Sequence, residues 1–246
     1  MKNRACILAF ILFLFPIVWA GTLSAAVEVI GTITGDTTWT NMDTIIVTGY
    51  VTVAATGRLT IQAGSDILFN PGAGLYIEGQ LIANGEEDNR ILFTSSADTV
   101  GGSPTAGGWK GVKFQESSEG IMYNCNLRYA INSIHVFKAS PEFYGCVVED
   151  FLVRGFYIDG HYSNPPITPI IDHCIARQND TTLQVTGVGI FVYRMVDVTI
   201  YRCEVSNCRY GMEFLGSGTY TPHFQIASCE IHDIALYGIY THAGGG

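Results

Sequence analysis

A recurring cysteine constrains the fold of this chain more than any other feature of its sequence. Five cysteines follow one another at intervals of 21, 28, 29 and 26 residues: Cys125, Cys146, Cys174, Cys203 and Cys229. Each has an apolar residue three positions before it, an aliphatic residue two positions after it, and usually a polar residue four positions after it. A second apolar segment follows, in most units beginning with Gly. Similarity at a fixed period of this length is typical of a repeat architecture.

The segments within each unit predict short β-strands. They are three to five residues long, alternate between apolar and polar residues, and contain many β-branched residues. The intervals are too short for a strand, a crossover helix and a second strand, and no helical period lies between the segments. Parallel strands without helices pair only if the chain coils, with each turn about 4.8 Å from the previous one. The sequence therefore predicts a parallel β-solenoid.

The first half of the chain repeats at a similar spacing. Three pairs of apolar positions define it: Val51 with Leu75, Leu59 with Leu81, and Ile67 with Ile91, separated by 24, 22 and 24 residues. We expect three short strands per coil and about eight coils over residues 45–246, with residues 27–44 as an N-terminal cap. The C-terminal coil is expected to be uncapped or truncated, and to associate through its unpaired edge.

Residues 1–26 predict a secretory signal peptide. Lys2 and Arg4 precede an apolar run over residues 5–20, and small residues at 24–26 suit cleavage. We expect a secreted, extracellular or cell-envelope protein, with no membrane insertion after cleavage; an uncleaved anchor is the alternative. The mature chain then has 11 basic and 22 acidic residues, a net charge of −11. This charge argues against a nucleic-acid partner, which requires clustered Lys and Arg.

Several segments resemble the opening of exported bacterial proteins of the pectin-lyase-like superfamily. They are Val51–Val53, Leu59–Gly64, Ile67–Phe69, Leu75–Leu81, Ile91–Ser95 and Gly108–Phe114. The resemblance implies that this all-β chain is a right-handed parallel β-helix. It does not imply one activity, because this fold is found in lyases, hydrolases, adhesins and proteins with no known chemistry.

The cysteines have two interpretations. The mature chain has six: Cys125, Cys146, Cys174, Cys203, Cys208 and Cys229. Export permits disulfides, but in-register residues on adjacent parallel strands share one orientation, which opposes disulfide torsions. We favour a ladder of small buried side chains in a narrow corner, and the disulfide state stays open. Cys203 and Cys208 have no second pair at ligand spacing, so we predict no metal site.

Five residues share one outward position on the second strand of successive units. This aromatic column comprises His135, Tyr157, Phe191, Glu213 and Tyr240. Stacked rings on an exposed sheet suit the C–H faces of sugars, and equally suit a protein partner or a ladder of rings packed on one another. Polysaccharide binding along this column is the functional hypothesis.

A possible catalytic group lies beside the column, just beyond the strand ends. It comprises Lys138, Asp159, His161, Arg194 and His242, with Glu213 nearby. The resemblance implies a Lys or Arg base, often with carboxylate-bound Ca²⁺, for a lyase. Glycoside hydrolysis needs two carboxyl groups flanking one bond, for which we can pair Asp159 with Glu213. Solvated loop charges are the simpler interpretation.

The motifs of related hydrolases are largely missing. The chain has no Asp-Asp, Gly-His-Gly or Arg-x-Lys; its Asn-x-Asp, Asn41–Asp43, lies in the expected cap, and Gly160–Tyr162 matches only in part. A cluster of acidic calcium ligands is also missing, so we predict no cofactor unless the protein is a lyase. The favoured prediction is a non-catalytic exported scaffold that binds polysaccharide. The alternative is a polysaccharide lyase or glycoside hydrolase with divergent active-site residues.

Overall fold

The computed structural model describes residues 26–179, 186–216 and 222–242. Within these ranges the chain forms 24 β-strands and no helix. No helix able to cross a membrane is therefore found in the described ranges. The expected signal peptide, except for Ala26, lies outside the described residues.

The strands form three stacks. The first-strand stack contains β5 (Asp66–Phe69), β8 (Ile91–Ser95), β11 (Cys125–Arg128), β14 (Val147–Glu149), β17 (Ile175–Arg177), β20 (Glu204–Ser206) and β23 (Glu230–His232). The second-strand stack contains β6 (Gly74–Ile77), β9 (Val112–Phe114), β12 (Asn132–Phe137), β15 (Arg154–Asp159), β18 (Val188–Tyr193), β21 (Tyr210–Leu215) and β24 (Tyr237–His242). The third-strand stack contains β2 (Asp36–Trp39), β4 (Arg58–Gln62), β7 (Gln80–Asn84), β10 (Glu119–Tyr123), β13 (Glu142–Tyr144), β16 (Ile170–Asp172), β19 (Asp197–Tyr201) and β22 (His223–Ala227).

Two long strands form the first two coils of the β-solenoid. β1 (Ala26–Ile33) and β3 (Thr44–Val53) each supply both the first and the second strand of a coil, and β3 joins those two stacks into one sheet. The named strands pair in parallel with the equivalent strands of the neighbouring coils. The described residues complete eight coils and begin a ninth. The all-β fold, with three short strands per coil and about eight coils, is confirmed.

The register confirms the stacking of equivalent residues. The positions that follow four of the cysteines pair in turn: Val147 with Ile175, Ile175 with Glu204, and Glu204 with Glu230. One expected pairing is wrong, because Ile67 pairs with Phe93 rather than with Ile91. A shift of two residues keeps every side chain on the same face of the strand, so the apolar pattern alone does not exclude it.

The region expected to form the N-terminal cap contains a coil. β1 and β2 pair in parallel with β3 and β4, as later strands pair with theirs. Trp39 at the end of β2 is 5% exposed and belongs to the same hydrophobic core as the following coils. The interior is therefore one continuous apolar column along the helix axis.

The cysteines line one corner of this interior as free thiols. Cys125, Cys146, Cys174 and Cys203 are buried, and Cys229 is partly exposed. The thiols donate to backbone carbonyl groups of the preceding coil, as Cys146 Sγ does to Met122 at 3.4 Å. This arrangement is the ladder of small buried side chains favoured from the sequence.

A file of glycines lines the start of the second strand. At Gly189, a Cβ atom would lie 2.2 Å from Cγ1 of Val205 and 2.8 Å from the carbonyl oxygen of Gly211. Gly155 and Gly211 have similarly close neighbours on the coil that follows. The backbone of one coil thus approaches the next too closely for any side chain, which explains why Gly recurs there.

Candidate functional site

The aromatic column is continuous on the second-strand stack. His135 pairs with Tyr157, Tyr157 with Phe191, Phe191 with Glu213, and Glu213 with Tyr240. Lys113 of β9 precedes His135 in the same file. The alignment made from the sequence is therefore confirmed for all five residues.

The rings of the column pack against one another. His135 and Tyr157 are almost parallel, with ring centroids 4.2 Å apart and an interplanar angle of 8°. Phe191 meets Tyr157 edge-on at 5.3 Å and is only 6% exposed. These are the contacts of a ladder, in which facing ring surfaces are occupied by neighbouring rings. A ligand on this part of the column would meet ring edges and the groups beside them.

Arg154 lies at the centre of this surface. Its guanidinium carbon is 4.5 Å from the ring centroid of Tyr157 and 4.2 Å from that of Phe191. The Nε atom is buried and has no hydrogen-bond partner within the described part of the chain. Burial lowers the pKa of Arg154, and the nearby charges of Tyr157, Glu213 and Asp159 raise it in part. The cation is therefore held by aromatic rings rather than by a direct ion pair.

Sequence reasoning missed Arg154. It stands immediately before Gly155, at a position where other units have Asn132, Val188, Tyr210 and Tyr237. A comparison of the residues that precede the repeated Gly would have shown one basic residue there. Its contacts with Tyr157 and Phe191 depend on two neighbouring coils.

Burial and nearby charges also shift the pKa values of His135 and Glu213 in the column. The pKa of His135 falls to about 3 because the ring is buried and because Lys113 and Arg154 are positively charged. His135 is therefore neutral near pH 7, and its buried Nε2 atom has no partner among the described residues. Burial raises the pKa of Glu213, while Arg154 and Arg209 oppose this shift. A positive charge on His135 is therefore disfavoured beside Lys113 and Arg154.

The structure brings three of the candidate catalytic residues together. Asp159 Oδ1 accepts a hydrogen bond from the backbone N–H of His161 at 2.8 Å, and Nη1 of Arg194 contacts Nδ1 of His161. The guanidinium of Arg194 lies 4.2 Å from the Tyr193 ring and 5.1 Å from the Tyr162 ring. This group of Asp159, His161 and Arg194 lies at the ends of β15 and β18. It is next to the surface formed by Arg154, Tyr157 and Phe191, which we call the Arg154 surface.

The other candidates do not add their side chains to that group, although the backbone N–H of Lys138 donates to the carbonyl oxygen of Asp159 at 3.0 Å. Lys138 Nζ forms an ion pair with Glu116. His242 ends β24, three coils beyond Asp159, and Glu213 lies two coils beyond it in the neighbouring file. By strand geometry the Cα atoms of Asp159 and Glu213 are roughly 12 Å apart.

Four cations share a common environment on the second-strand stack and its ends. Lys113, Arg154, Arg194 and Arg209 each lie within 5.5 Å of the centroid of an aromatic ring. None of them forms an ion pair with a carboxylate in the described ranges. Over the same ranges, no group of three His, Cys, Asp or Glu side chains is arranged to hold a metal ion.

The family follows from the sequence and agrees with the fold. The family model for the right-handed β-helix region matches residues 47–221, which is well over half of the chain. The protein therefore belongs to the right-handed β-helix family, and the coils described above are those of its characteristic domain. Searches of curated proteins and of solved structures gave no match.

Proposed function

We propose that this protein is an exported, non-catalytic scaffold that binds an acidic polysaccharide along the second-strand stack. The observation that carries the proposal is Arg154, a half-buried cation that lies on two aromatic rings and forms no ion pair with a carboxylate in the described ranges. A guanidinium in this state keeps its charge and its N–H donors for a carboxylate or sulfate. Ring edges and C–H groups beside it suit a sugar backbone.

The surrounding charges support an acidic ligand. The mature chain is strongly acidic, so a basic partner would be attracted to many surfaces. Lys113, Arg154, Arg194 and Arg209 instead concentrate positive charge along one side of the helix. Successive coils about 4.8 Å apart would allow a linear polymer to contact several of these cations at once. Export to the cell surface or medium, and a place in the pectin-lyase-like superfamily, are parts of the same proposal.

Binding to polygalacturonate and to the neutral glucan dextran tests the proposal. We expect the protein to bind polygalacturonate, more weakly at high salt, and not to bind dextran. Arg154→Ala should weaken binding by at least about tenfold, because a charge-assisted contact is lost. Arg177→Ala is the matched control, since Arg177 is paired with Glu149 on the first-strand stack. Equal binding by wild type and Arg154→Ala would overturn the proposal.

The second candidate function is a polysaccharide lyase or glycoside hydrolase. It is supported by the contact of His161 with Arg194 and by the hydrogen bond from His161 to Asp159. A lyase would release unsaturated ends from polygalacturonate or alginate, with or without added Ca²⁺, and a hydrolase would release reducing ends. Either product, lost on Arg194→Ala, would establish this function in place of the scaffold.

A further inference from the structure

A second groove lies at the corner between the third and first strands. It has a volume of about 400 Å³ and is lined by Glu87, Arg90, Tyr123, Tyr144 and His173, among others. These residues end the third strands or lie in the turns that follow them, whereas Arg154 begins β15 of the second-strand stack. The groove is therefore separate from the surface described above.

Arg90 is a fixed positive centre in this groove. Its Nε atom donates to Oδ1 of Asn126 at 2.6 Å, and its Nη2 atom donates to the carbonyl oxygen of Gly145. These bonds use two of the five guanidinium N–H groups and leave Nη1 without a partner in the described ranges. No carboxylate forms an ion pair with Arg90 there. The remaining N–H groups are held in a geometry that suits a carboxylate.

Two tyrosines lie beside this cation. The rings of Tyr123 and Tyr144 stack with centroids 5.0 Å apart and an interplanar angle of 15°. The Tyr144 hydroxyl donates to Oε2 of Glu142 at 2.8 Å, which fixes its ring. Glu87 adds a carboxylate that can accept from hydroxyls, and His173, whose Nδ1 atom lies 2.9 Å from Oδ1 of Asp172, adds an imidazole ring. Aromatic surface, hydroxyl-binding groups and a guanidinium together suit the ring, hydroxyls and carboxylate of one sugar.

We propose that this groove is an independent binding site for a uronic-acid residue, with the sugar carboxylate on Arg90 and its ring beside Tyr123 and Tyr144. The carboxylate displaces water from the free N–H groups of Arg90. Because the Arg154 surface and this groove lie on different sides of the helix, one protein molecule would hold two acidic chains. The protein would then cross-link acidic polysaccharide rather than only coat it.

The stoichiometry of trigalacturonate binding tests this site. By equilibrium dialysis we expect two bound molecules per wild-type chain, and one each for Arg154→Ala and Arg90→Gln. Arg58→Gln is the matched control, because Arg58 also lacks an ion pair and hydrogen-bonds to Gln80 at another corner. Unchanged stoichiometry in Arg90→Gln overturns this site, whereas unchanged stoichiometry in Arg154→Ala overturns the proposed function.

A measurement without any change at Arg90 covers the case in which Arg90→Gln does not fold. Hydrogen exchange of the Arg154→Ala protein is compared with and without saturating trigalacturonate. We expect at least about twofold slower exchange in residues 85–91 and 144–147, because these segments line the groove. Protection confined to other segments, or no protection, would overturn the site.

Discussion

The first-strand and second-strand stacks belong to the same coils and hold their cations in opposite ways. On the first-strand stack, Arg128 and Arg177 both pair with Glu149, with 2.6 Å between Arg177 Nη2 and Glu149 Oε1. Arg128 also pairs with Asp98 at 3.2 Å. On the second-strand stack, Arg154 lies on Tyr157 and Phe191 and has no ion-pair partner in the described ranges.

This difference supports the proposal that the second-strand stack binds an anionic ligand. A cation paired with a carboxylate is neutralised, and its N–H groups are used within the protein. A cation on an aromatic ring stays charged towards solvent, because the ring supplies no formal negative charge. The paired cations of the first-strand stack therefore contribute to stability, and the unpaired cations of the second-strand stack are available to the anionic partner that we propose.

The two stacks also differ on the inside. A file of buried thiols begins the first strand, and a file of glycines begins the second. The thiol side chains fill the interior at their corner. At the glycine corner, neighbouring coils are too close to leave room for a side chain. Mutations in the two files should therefore lower the free energy of unfolding by different amounts.

The largest expected effect is that of Gly189→Ala. Its Cβ would lie 2.2 Å from Cγ1 of Val205, so the coils must separate locally, and we expect the free energy of unfolding to fall by about 3 kcal/mol. Urea denaturation measures this. Gly35→Ala is the control, since no atom lies within 4 Å of its added Cβ. Similar stabilities for the two variants would refute the packing argument.

Glu149→Ala should cost about 2 kcal/mol of unfolding free energy. Glu149 is 8% exposed, and its loss leaves Arg128 and Arg177 without their shared partner. Glu78→Ala, which removes an exposed carboxylate outside the ion pairs found in the described ranges, should change stability little. If both variants unfold at the same urea concentration, the ion pairs of Glu149 with Arg128 and Arg177 do not stabilise the fold.

Cys174→Ala should cost about 1 kcal/mol, because it removes one buried sulfur from a file of small side chains. Cys229→Ala, at a partly exposed position of the same file, should cost less. Urea denaturation under reducing conditions compares the two. A loss in Cys174→Ala as large as that in Gly189→Ala would show that the two corners are packed equally tightly.

The smallest expected effect is a pH dependence due to His135. Its pKa is about 3 in the folded state, below the value near 6.5 expected when unfolded, so the unfolded chain binds more protons between these values. Stability should fall as pH falls from 7 to 6, by less than about 1 kcal/mol. His135→Gln should show a shallower dependence in urea denaturation over this range. Identical slopes would contradict the assigned pKa.

Much of the fold was predictable because equivalent positions of successive coils carry the same types of residue. The cysteines, the residues on either side of them and the repeated Gly all align as the intervals indicated. The pairing of Ile67 was not predictable, because Ile91 and Phe93 are both apolar and lie on the same face of β8. The register there depends on how the preceding turn directs the chain.

The candidate site was predictable only in part. The sequence placed all five residues of the aromatic column correctly and allowed a ladder of packed rings as one interpretation, but it did not decide between that ladder and an exposed binding surface. It placed Lys138 with Arg194, although Lys138 pairs with Glu116. It did not identify Arg154, which stands out only because its guanidinium lies on the rings of Tyr157 and Phe191 from two neighbouring coils.

The sequence by itself determined that the chain coils and which residues stack, because short parallel strands without helices can pair only with their own repeats. Only the tertiary structure decided which cations are neutralised and which rest on rings. That outcome depends on side-chain distances of a few ångströms between coils, and positions along the chain do not encode such distances.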